Sequence, residues 1–377
     1  MRRGTFVRWG VPIAAAAVIG AAIGAGPVIA AVSGDPVLPE RSAQQLLADA
    51  AAASSKQSGP PPMSGTVQQT ASLGLPALPQ TGGGETPLSL LSGTHEIKVW
   101  YGGADKFRVA MPTQLNETNL IVNGAQAWYW ESATNTATKL TVKQGEDGRP
   151  ELPTTTPAQL TPAQAAEQLL ARIDKDTSVR VINTAEVAGR PVYQLVLAPK
   201  DEGSLVQEVR LALDGETYVP LQVQVYAKGS AEPAFQVGFT QVTFTPPAAE
   251  NFAFTPPAGA KVEEQDLGEL ARGQRAEQHA EQAEKVAGEA KVVGEGWTTV
   301  AVLPFKPEDL TGGAGEDGQN PAALADTILK SATPVSGTWG SGKLIKTKLV
   351  TALLTDDGRL LVGAVTPEEI TEAAGIK

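Results

Sequence analysis

The sequence of 377 residues contains no cysteine. That absence excludes disulfides, thiol nucleophiles, cysteine-based zinc sites and a lipid attached to an N-terminal cysteine. Aromatic residues make up only 5% of the chain, so the core must be built mainly from Val, Leu, Ile and Ala. The only histidines are His95 and His279. We expect both to be solvated surface residues, because a histidine site needs oriented partners that the sequence does not supply.

Acidic residues outnumber basic ones, 41 to 30, for a formal net charge of −11, but the start of the chain has the opposite balance. Residues 1–30 carry Arg2, Arg3 and Arg8 and no acid, and residues 11–32 are uncharged. This pattern is typical of an export signal, and the run is also about the 20 residues needed to span a bilayer. We therefore predict that residues 1–32 are a signal peptide or an N-terminal membrane anchor. The rest should be extracytoplasmic, either secreted or anchored at the outer face of the cytoplasmic membrane.

Signals for catalysis or nucleotide binding are weak. Residues 337–343, GTWGSGK, have the spacing of a phosphate-binding loop, but Leu344 stands where a Ser or Thr hydroxyl is needed and a strand-like sequence follows. We predict a glycine-rich turn that enters a strand. There is no Gly-x-Ser-x-Gly elbow. An acidic exported chain is also not expected to bind nucleic acid. The sequence thus predicts no enzyme and no cofactor.

Period-two alternation dominates the middle of the chain and predicts an antiparallel sheet with one apolar face. Asn123-Gly124 marks a hairpin. Predicted strands cover residues 94–101, 107–111, 120–122, 125–130, 178–185, 192–197, 207–213, 221–226, 234–244 and 252–254, and one more lies within 58–86. Predicted helices start at Ser42 and at Thr161. Trp128 and Trp130 are expected to be hydrophobic cover, not a sugar platform.

The last third of the sequence predicts a smaller unit. Residues 263–296 are predicted to be a helical linker, with a polar, alanine-rich helix over 263–294. Residues 297–377 are predicted to form a small α+β domain. It should have strands at 297–302, 343–355 and 359–365, a short helix starting at Asn320, and a final helix capped at Thr366 and ending at Gly375. The fold class is therefore α+β, a large curved antiparallel sheet packed against helices with a small C-terminal α+β domain.

Several short motifs, in this order, resemble the LolA-like superfamily. They are the hairpin around Asn123-Gly124 with the following AQAWYW, then VAGRPVYQL at 187–195, LDGETYVPL at 213–221 and FAFTPPAGA at 252–260. The superfamily includes lipoprotein and lipid carriers of the LolA and LppX types and envelope-stress regulators of the RseB and MucB type. The similarity spans roughly residues 36–265, with the domain itself placed at 36–262. The alanine-rich, cysteine-free style is similar to the actinobacterial type, although the carriers of that type are lipoproteins.

The resemblance implies an incomplete β-barrel, closed by helices, around an apolar cavity that binds acyl chains. Its candidate lining is the apolar face of the predicted strands: Ile97, Val99, Phe107, Val109, Leu120, Val122, Leu221, Val223, Val225, Phe235, Val237 and Phe239. It implies a non-catalytic carrier that binds lipid or acylated lipoprotein and works at the membrane surface. The alternative that it leaves open is a regulator that binds the outer domain of a membrane anti-sigma factor.

Overall fold

The computed structural model describes residues 37–56, 60–74, 92–113, 115–141, 175–266, 290–305 and 329–376. These residues form two sheets, one of twelve strands and one of six. The α-helices with both ends within these residues are α1 (Ala43–Lys56) and α2 (Pro367–Gly375), and residues 329–331 are also helical. The strands are β1 (Met63–Ser72), β2 (Ser92–Gly103), β3 (Lys106–Pro112), β4 (Glu117–Asn123), β5 (Gln126–Glu131), β6 (Thr136–Thr141), β7 (Thr177–Val187), β8 (Arg190–Pro199), β9 (Val206–Asp214), β10 (Pro220–Ala227), β11 (Pro233–Thr243), β12 (Lys261–Asp266), β13 (Lys291–Val293), β14 (Val300–Pro304), β15 (Thr333–Gly337), β16 (Gly340–Lys346), β17 (Thr351–Thr355) and β18 (Arg359–Gly363).

The large sheet consists of two meanders, β1 to β6 and β7 to β11, in which each strand pairs with the next along the chain. The meanders are joined by antiparallel pairing of β1 with β11. Strand β12 then adds to β6 in parallel, whereas the other pairs of this sheet are antiparallel. The outermost strands of the described sheet, β7 and β12, do not pair with each other. The predicted α+β class with an incomplete barrel is confirmed.

Helix α1 packs on the β7–β9 end of the large sheet. It starts as predicted, because Ser42 and Gln45 form a reciprocal capping box in which each backbone N–H donates to the other's side chain. Its apolar stripe faces the sheet: Leu46 is fully buried among Tyr193, Leu195 and Leu213. No helix within the described residues is long and apolar enough to cross a membrane. The predicted helix from Thr161 and the N-terminal segment 1–32 lie outside the described residues.

The second sheet has the order β13-β14-β18-β17-β16-β15 and carries α2 on one face. Thr366 caps α2 by accepting from the Glu369 N–H, as predicted. Ile370 and its neighbours pack against Leu353 and Leu361. This sheet meets the large one through backbone bonds, in which Leu205 N–H donates to Ala364 O over 2.8 Å and Thr366 N–H donates to Gly203 O over 2.8 Å. The boundaries of the domains stay a prediction.

Two predicted elements that follow β11 are wrong. Residues 252–254 are not a strand: a 3₁₀ turn, Ala249–Phe252, precedes them and Phe252 is buried. The Lys106 ammonium lies over the Phe252 ring, 5.2 Å from its centroid, so this segment lies across β3 instead of joining the sheet. The helix predicted over 263–294 is wrong at both ends, where β12 and β13 are strands. Pairing with an available strand edge overrides helix propensity there; residues 267–289 lie outside the described residues.

The C-terminal predictions need two smaller corrections. The strand predicted at 297–302 begins later, at Val300, because Gly296–Thr298 form a 3₁₀ turn. The strand predicted over 343–355 is two strands, β16 and β17. Between them the Thr347 N–H donates to Val350 O over 2.8 Å, closing a tight turn. The helix predicted from Asn320 starts outside the described residues.

A buried ion pair fixes the corner where β8, β9 and β10 meet. The Asp214 side chain is fully buried and accepts from Arg190 and from the backbone N–H and hydroxyl of Thr217. Arg190 also reaches the exposed Glu216 over 2.9 Å and lies over the Phe244 ring. Burial alone would raise the pKa of Asp214, but the hydrogen bonds from Arg190 and Thr217 outweigh it and hold that pKa below its usual value.

We expect Asp214→Asn to destabilise the protein by about 3 kcal/mol, because it leaves Arg190 without its buried counter-ion. The control is Glu216→Gln, which removes the exposed partner of the same arginine and should cost less than about 1 kcal/mol. Urea unfolding at pH 7 measures both. Equal losses of unfolding free energy in the two variants would show that the buried Arg190–Asp214 pair contributes no more than the exposed Arg190–Glu216 pair.

The same carboxylate predicts a pH dependence. Because the pKa of Asp214 is lower in the folded protein, its stabilising effect is present above its unfolded pKa of about 3.9. It is lost as the pH falls through the lower folded value. Parent and Asp214→Asn unfolding free energies, measured from pH 7 down to pH 3, should therefore converge towards the acid end.

Candidate functional site

The strand register places all twelve candidate residues on one face of the large sheet. Residues directly opposite each other in an antiparallel pair lie on the same face, as do residues two apart in one strand. Across β10 and β11, Val223 lies opposite Val237 and Val225 opposite Phe235. Leu221, two residues before Val223, belongs to the same set.

This face continues across β1 into the other meander. Phe239 lies opposite Val67 on β1, and Val67 lies opposite Ile97 on β2. Further on, Val99 faces Val109, and Val109 and Phe107 face Leu120 and Val122 respectively. The apolar face therefore runs without a break from β10 to β4. That these residues bind a ligand stays a prediction.

Burial divides the apolar face into a packed part and a more open part. Val223 is 2% exposed and Leu221 is fully buried. The buried members are Ile97, Val99, Val122, Leu221, Val223, Val237 and Phe239; the half-buried members are Phe107, Val109, Leu120, Val225 and Phe235. Three of the half-buried residues lie together on β3 and β4. Four of the six candidate residues on β10 and β11 are thus buried, whereas three of the four on β3 and β4 are half-buried and keep part of their apolar surface accessible.

Helix α1 covers the end of this same face. Leu211 lies opposite both Val223 and Leu195, so Leu195, which contacts the Leu46 cluster of α1, is on the apolar face. Helix α1 therefore covers only the β7–β9 end of the apolar face. Within the described residues, this cover does not reach the half-buried residues of β3 and β4. This arrangement leaves an apolar surface next to a core that supports it.

The opposite face of the sheet is polar or separately covered. Around β10 it carries glutamines, and Gln224 Nε2 donates to Gln236 Oε1 over 2.7 Å. Glu208, also on this face, lies between Arg180 and Arg210 at 2.6 and 2.5 Å. The pKa of Glu208 is lowered because the hydrogen bonds from the two arginines outweigh the effect of burial. Around β9 and β10, the charged side chains thus lie on the face away from the candidate site.

Trp128 and Trp130 lie on this second face, over β5. Their rings are 5.5 and 6.0 Å from the ring of Phe254, and Trp130 is buried. They are hydrophobic cover, as predicted, and the segment that follows Phe252 is what covers them. The sequence did not predict that this segment crosses the sheet, although the segment contains the motif FAFTPPAGA at 252–260.

The glycine-rich motif of residues 337–343 is a hairpin. Gly337 ends β15, Gly340 begins β16, and these two glycines lie opposite each other across the turn. Lys343 is inside β16, opposite Pro334 and Leu354, so it does not start a helix as a phosphate-binding loop requires. The prediction of a turn entering a strand is confirmed.

Candidate metal ligands are dispersed among the described residues. His95 Nε2 lies 3.0 Å from Ser92 O, and His279 is outside the described part of the chain. No group of three or more His, Asp or Glu side chains is placed to hold a metal ion in the segments that the structure describes. The chemistry available on the apolar face is burial and, at its margins, hydrogen bonding.

A surface pocket of about 370 Å³ lies between α1 and the β9–β10 turn, and sequence reasoning missed it. Its polar groups contact each other: Arg41 is 3.5 Å from Asp49, and the Tyr218 hydroxyl is 3.4 Å from Asp49. Tyr218 has a positive φ of 56°, which is uncommon for a residue other than glycine. The network ties α1 to the turn. The turn lies in the motif LDGETYVPL at 213–221, which was the sequence signal that could have pointed to this pocket.

No protein-family model matches the chain, and no curated protein matches it. Among solved structures, the chain is similar to one in the complex of MucA and MucB from Pseudomonas aeruginosa, with 14% identity and a TM-score of 0.39, covering 88% of this chain and 96% of that one. It is also similar to a LolA superfamily protein from Nitrosomonas europaea, with 12% identity and a TM-score of 0.20, covering 57% and 99%. A putative lipoprotein-sorting domain from Vibrio parahaemolyticus has 12% identity and a TM-score of 0.21, covering 56% and 96%.

These solved structures thus include MucB and LolA-superfamily proteins, the groups that the sequence motifs resemble. Similarities of this degree carry no argument about what the chain binds. The function therefore has to be argued from the apolar face and its surroundings.

The division of the apolar face gives a direct prediction. Val223→Trp should destabilise the protein by about 1–3 kcal/mol or more, because it inserts a large ring into a packed core. Val109→Trp makes the same change on the same face where the side chain is half-buried, and we expect it to cost less than half as much. Urea unfolding of the two variants measures the difference. Equal losses would show that the β3 part of the face is as solid as the β10 part.

Proposed function

We propose that this protein is a non-catalytic carrier that binds the acyl chains of a lipid or of an acylated lipoprotein. The observation that carries the proposal is the unbroken apolar face from β10 to β4, whose β3–β4 part keeps accessible surface. A contiguous apolar surface that stays partly accessible is a feature of ligand-binding grooves.

The physical basis is the hydrophobic effect. Each methylene of an acyl chain that leaves water contributes about 0.8 kcal/mol. Phe107, Val109 and Leu120 offer it a surface of aliphatic and aromatic carbon. The buried residues at β10 and β11 hold that surface in shape, so little of the gain is lost in ordering the protein. No reaction chemistry is needed for this role.

The proposed location is extracytoplasmic, with the protein either secreted or anchored at the outer face of the cytoplasmic membrane. It rests on the basic start and uncharged run of residues 1–32. The acyl ligand would be collected at the membrane surface. We propose no nucleic-acid partner, since the net charge of −11 opposes binding to phosphate backbones.

A regulator of the RseB or MucB type is the second candidate, with the outer domain of a membrane anti-sigma factor as its partner. The observation that favours it is the second sheet with α2. This unit is joined to the large sheet by an antiparallel bridge between Ser204 and Val365, and a carrier for acyl chains has no evident need for it. In this alternative the apolar face would sense lipid or lipoprotein.

The test is binding of a fluorescent long-chain acyl probe to the purified protein. Leu120→Glu places a charge on the half-buried part of the face, and we expect the dissociation constant to rise at least about tenfold, because burying an unpaired carboxylate is costly. The control is Gln126→Glu, which adds the same charge at an exposed position on the other face. It should bind the probe like the parent.

Absence of probe binding by the parent protein would overturn the carrier proposal. In that event, binding of the parent to an anti-sigma outer domain supports the regulator. Mass spectrometry of an organic extract of natively purified protein identifies any lipid that co-purifies.

A further inference from the structure

The apolar face ends in a group of hydroxyl side chains on β4, β5 and β6. Tyr129 lies opposite Leu120 on β4 and opposite Thr138 on β6, so all three side chains are on the apolar face. Thr118, two residues before Leu120, is on it as well. We call Tyr129, Thr118 and Thr138 the hydroxyl cluster. It continues the half-buried apolar surface of β3 and β4 directly.

Tyr129 is partly exposed on this face. It is 39% exposed, whereas Thr138 is 8% exposed. Burial first, and then the charge of Glu131, raise the pKa of Tyr129, while a hydrogen bond with Thr118 opposes the rise. The phenol therefore stays protonated at neutral pH. Since a phenolic hydroxyl can donate once and also accept, it retains hydrogen-bonding capacity beyond Thr118.

The charges around the hydroxyl cluster are unfavourable to an anion. Glu131 lies opposite Thr118 and faces the same side. On β12, Glu263 lies opposite Thr138, and the neighbouring Lys261 ammonium is 2.5 Å from the Glu263 carboxylate. Among the described residues of this end of the face, the one cation is thus already paired with an acid, and Glu131 adds a negative charge. A phosphate here would meet like charge and no available cation.

We propose that the hydroxyl cluster binds the uncharged, hydroxyl- or ester-bearing head of a neutral amphiphile whose acyl chains lie on the apolar face. This inference rests on the proposed carrier function and narrows its ligand class. The head would accept from or donate to the Tyr129 and Thr118 hydroxyls, and the chains would extend over Leu120 and Val109 towards β2. The hydroxyl cluster therefore sets both the orientation of the ligand and its preference for a neutral head.

The experiment uses the full chain and three fluorescent probes with matched acyl chains: a diacylglycerol, a phosphatidylglycerol and a hydrocarbon without a polar head. We expect the parent to bind the diacylglycerol about tenfold more tightly than the phosphatidylglycerol. Tyr129→Phe should weaken diacylglycerol binding about fivefold, the effect of one hydrogen bond, and leave hydrocarbon binding unchanged. Thr118→Val should act in the same direction.

The matched control is Tyr226→Phe. It removes a hydroxyl from the opposite face, where Tyr226 lies under the Arg210 guanidinium, and should change binding of none of the probes. Two results would overturn this inference: phosphatidylglycerol binding that equals or exceeds diacylglycerol binding, or a Tyr129→Phe variant that binds diacylglycerol like the parent. In either case, binding of the hydrocarbon probe would still support the carrier function. Failure of the parent to bind any of the three probes would instead overturn the carrier function itself.

Discussion

The pairing register of the large sheet is the constraint on which the site depends. Because side chains alternate across a strand, a slip of one residue would move a whole row from the apolar face to the polar one. The seam between β1 and β11 contains a register shift: Thr66 pairs with Gln241 and Val67 with Phe239, so that β11 has one extra residue there. Gly65 belongs to this seam: a Cβ there would lie 2.7 Å from both the Phe239 ring and Gln241 O. A side chain at Gly65 would therefore force the two meanders apart.

The two faces of the sheet are stabilised by different interactions, and that separation creates the site. On the polar face, Glu208 pairs with Arg180 and Arg210, and the side chains of Gln224 and Gln236 form a hydrogen bond. Phe254 covers Trp128 and Trp130. On the apolar face, α1 supplies Leu46 at one end only. Burial is therefore complete at Leu221 and partial at Val109, so the same sheet provides both a rigid support and an accessible apolar surface.

Much of the fold was predictable because alternation is a local signal. Alternation predicted which residues share a face within each strand, as for Leu221, Val223 and Val225 and for Phe235, Val237 and Phe239. Alternation could not show how these rows join, since that depends on the long-range register through β1. It also could not show β12, whose sequence KVEEQD favours a helix as much as a strand and is placed by the free edge of β6. The packed and more open parts of the apolar face differ in which elements cover them. Tertiary packing sets that cover, so it cannot be predicted from the residue types on the face.

The arrangement of two meanders joined at one seam has a consequence for how the chain folds. Each meander can form from neighbouring strands as soon as its own residues are available, and its connections are short except the one between β1 and β2, which runs from Ser72 to Ser92. The seam cannot, because Ser64 pairs with Thr243, and closing so long a stretch of chain is slow and entropically costly. Until β11 arrives, β1 is an exposed edge beside an uncovered apolar face. The half-formed sheet would therefore be a target for aggregation during folding, and a chaperone at the site of folding would protect it at that stage.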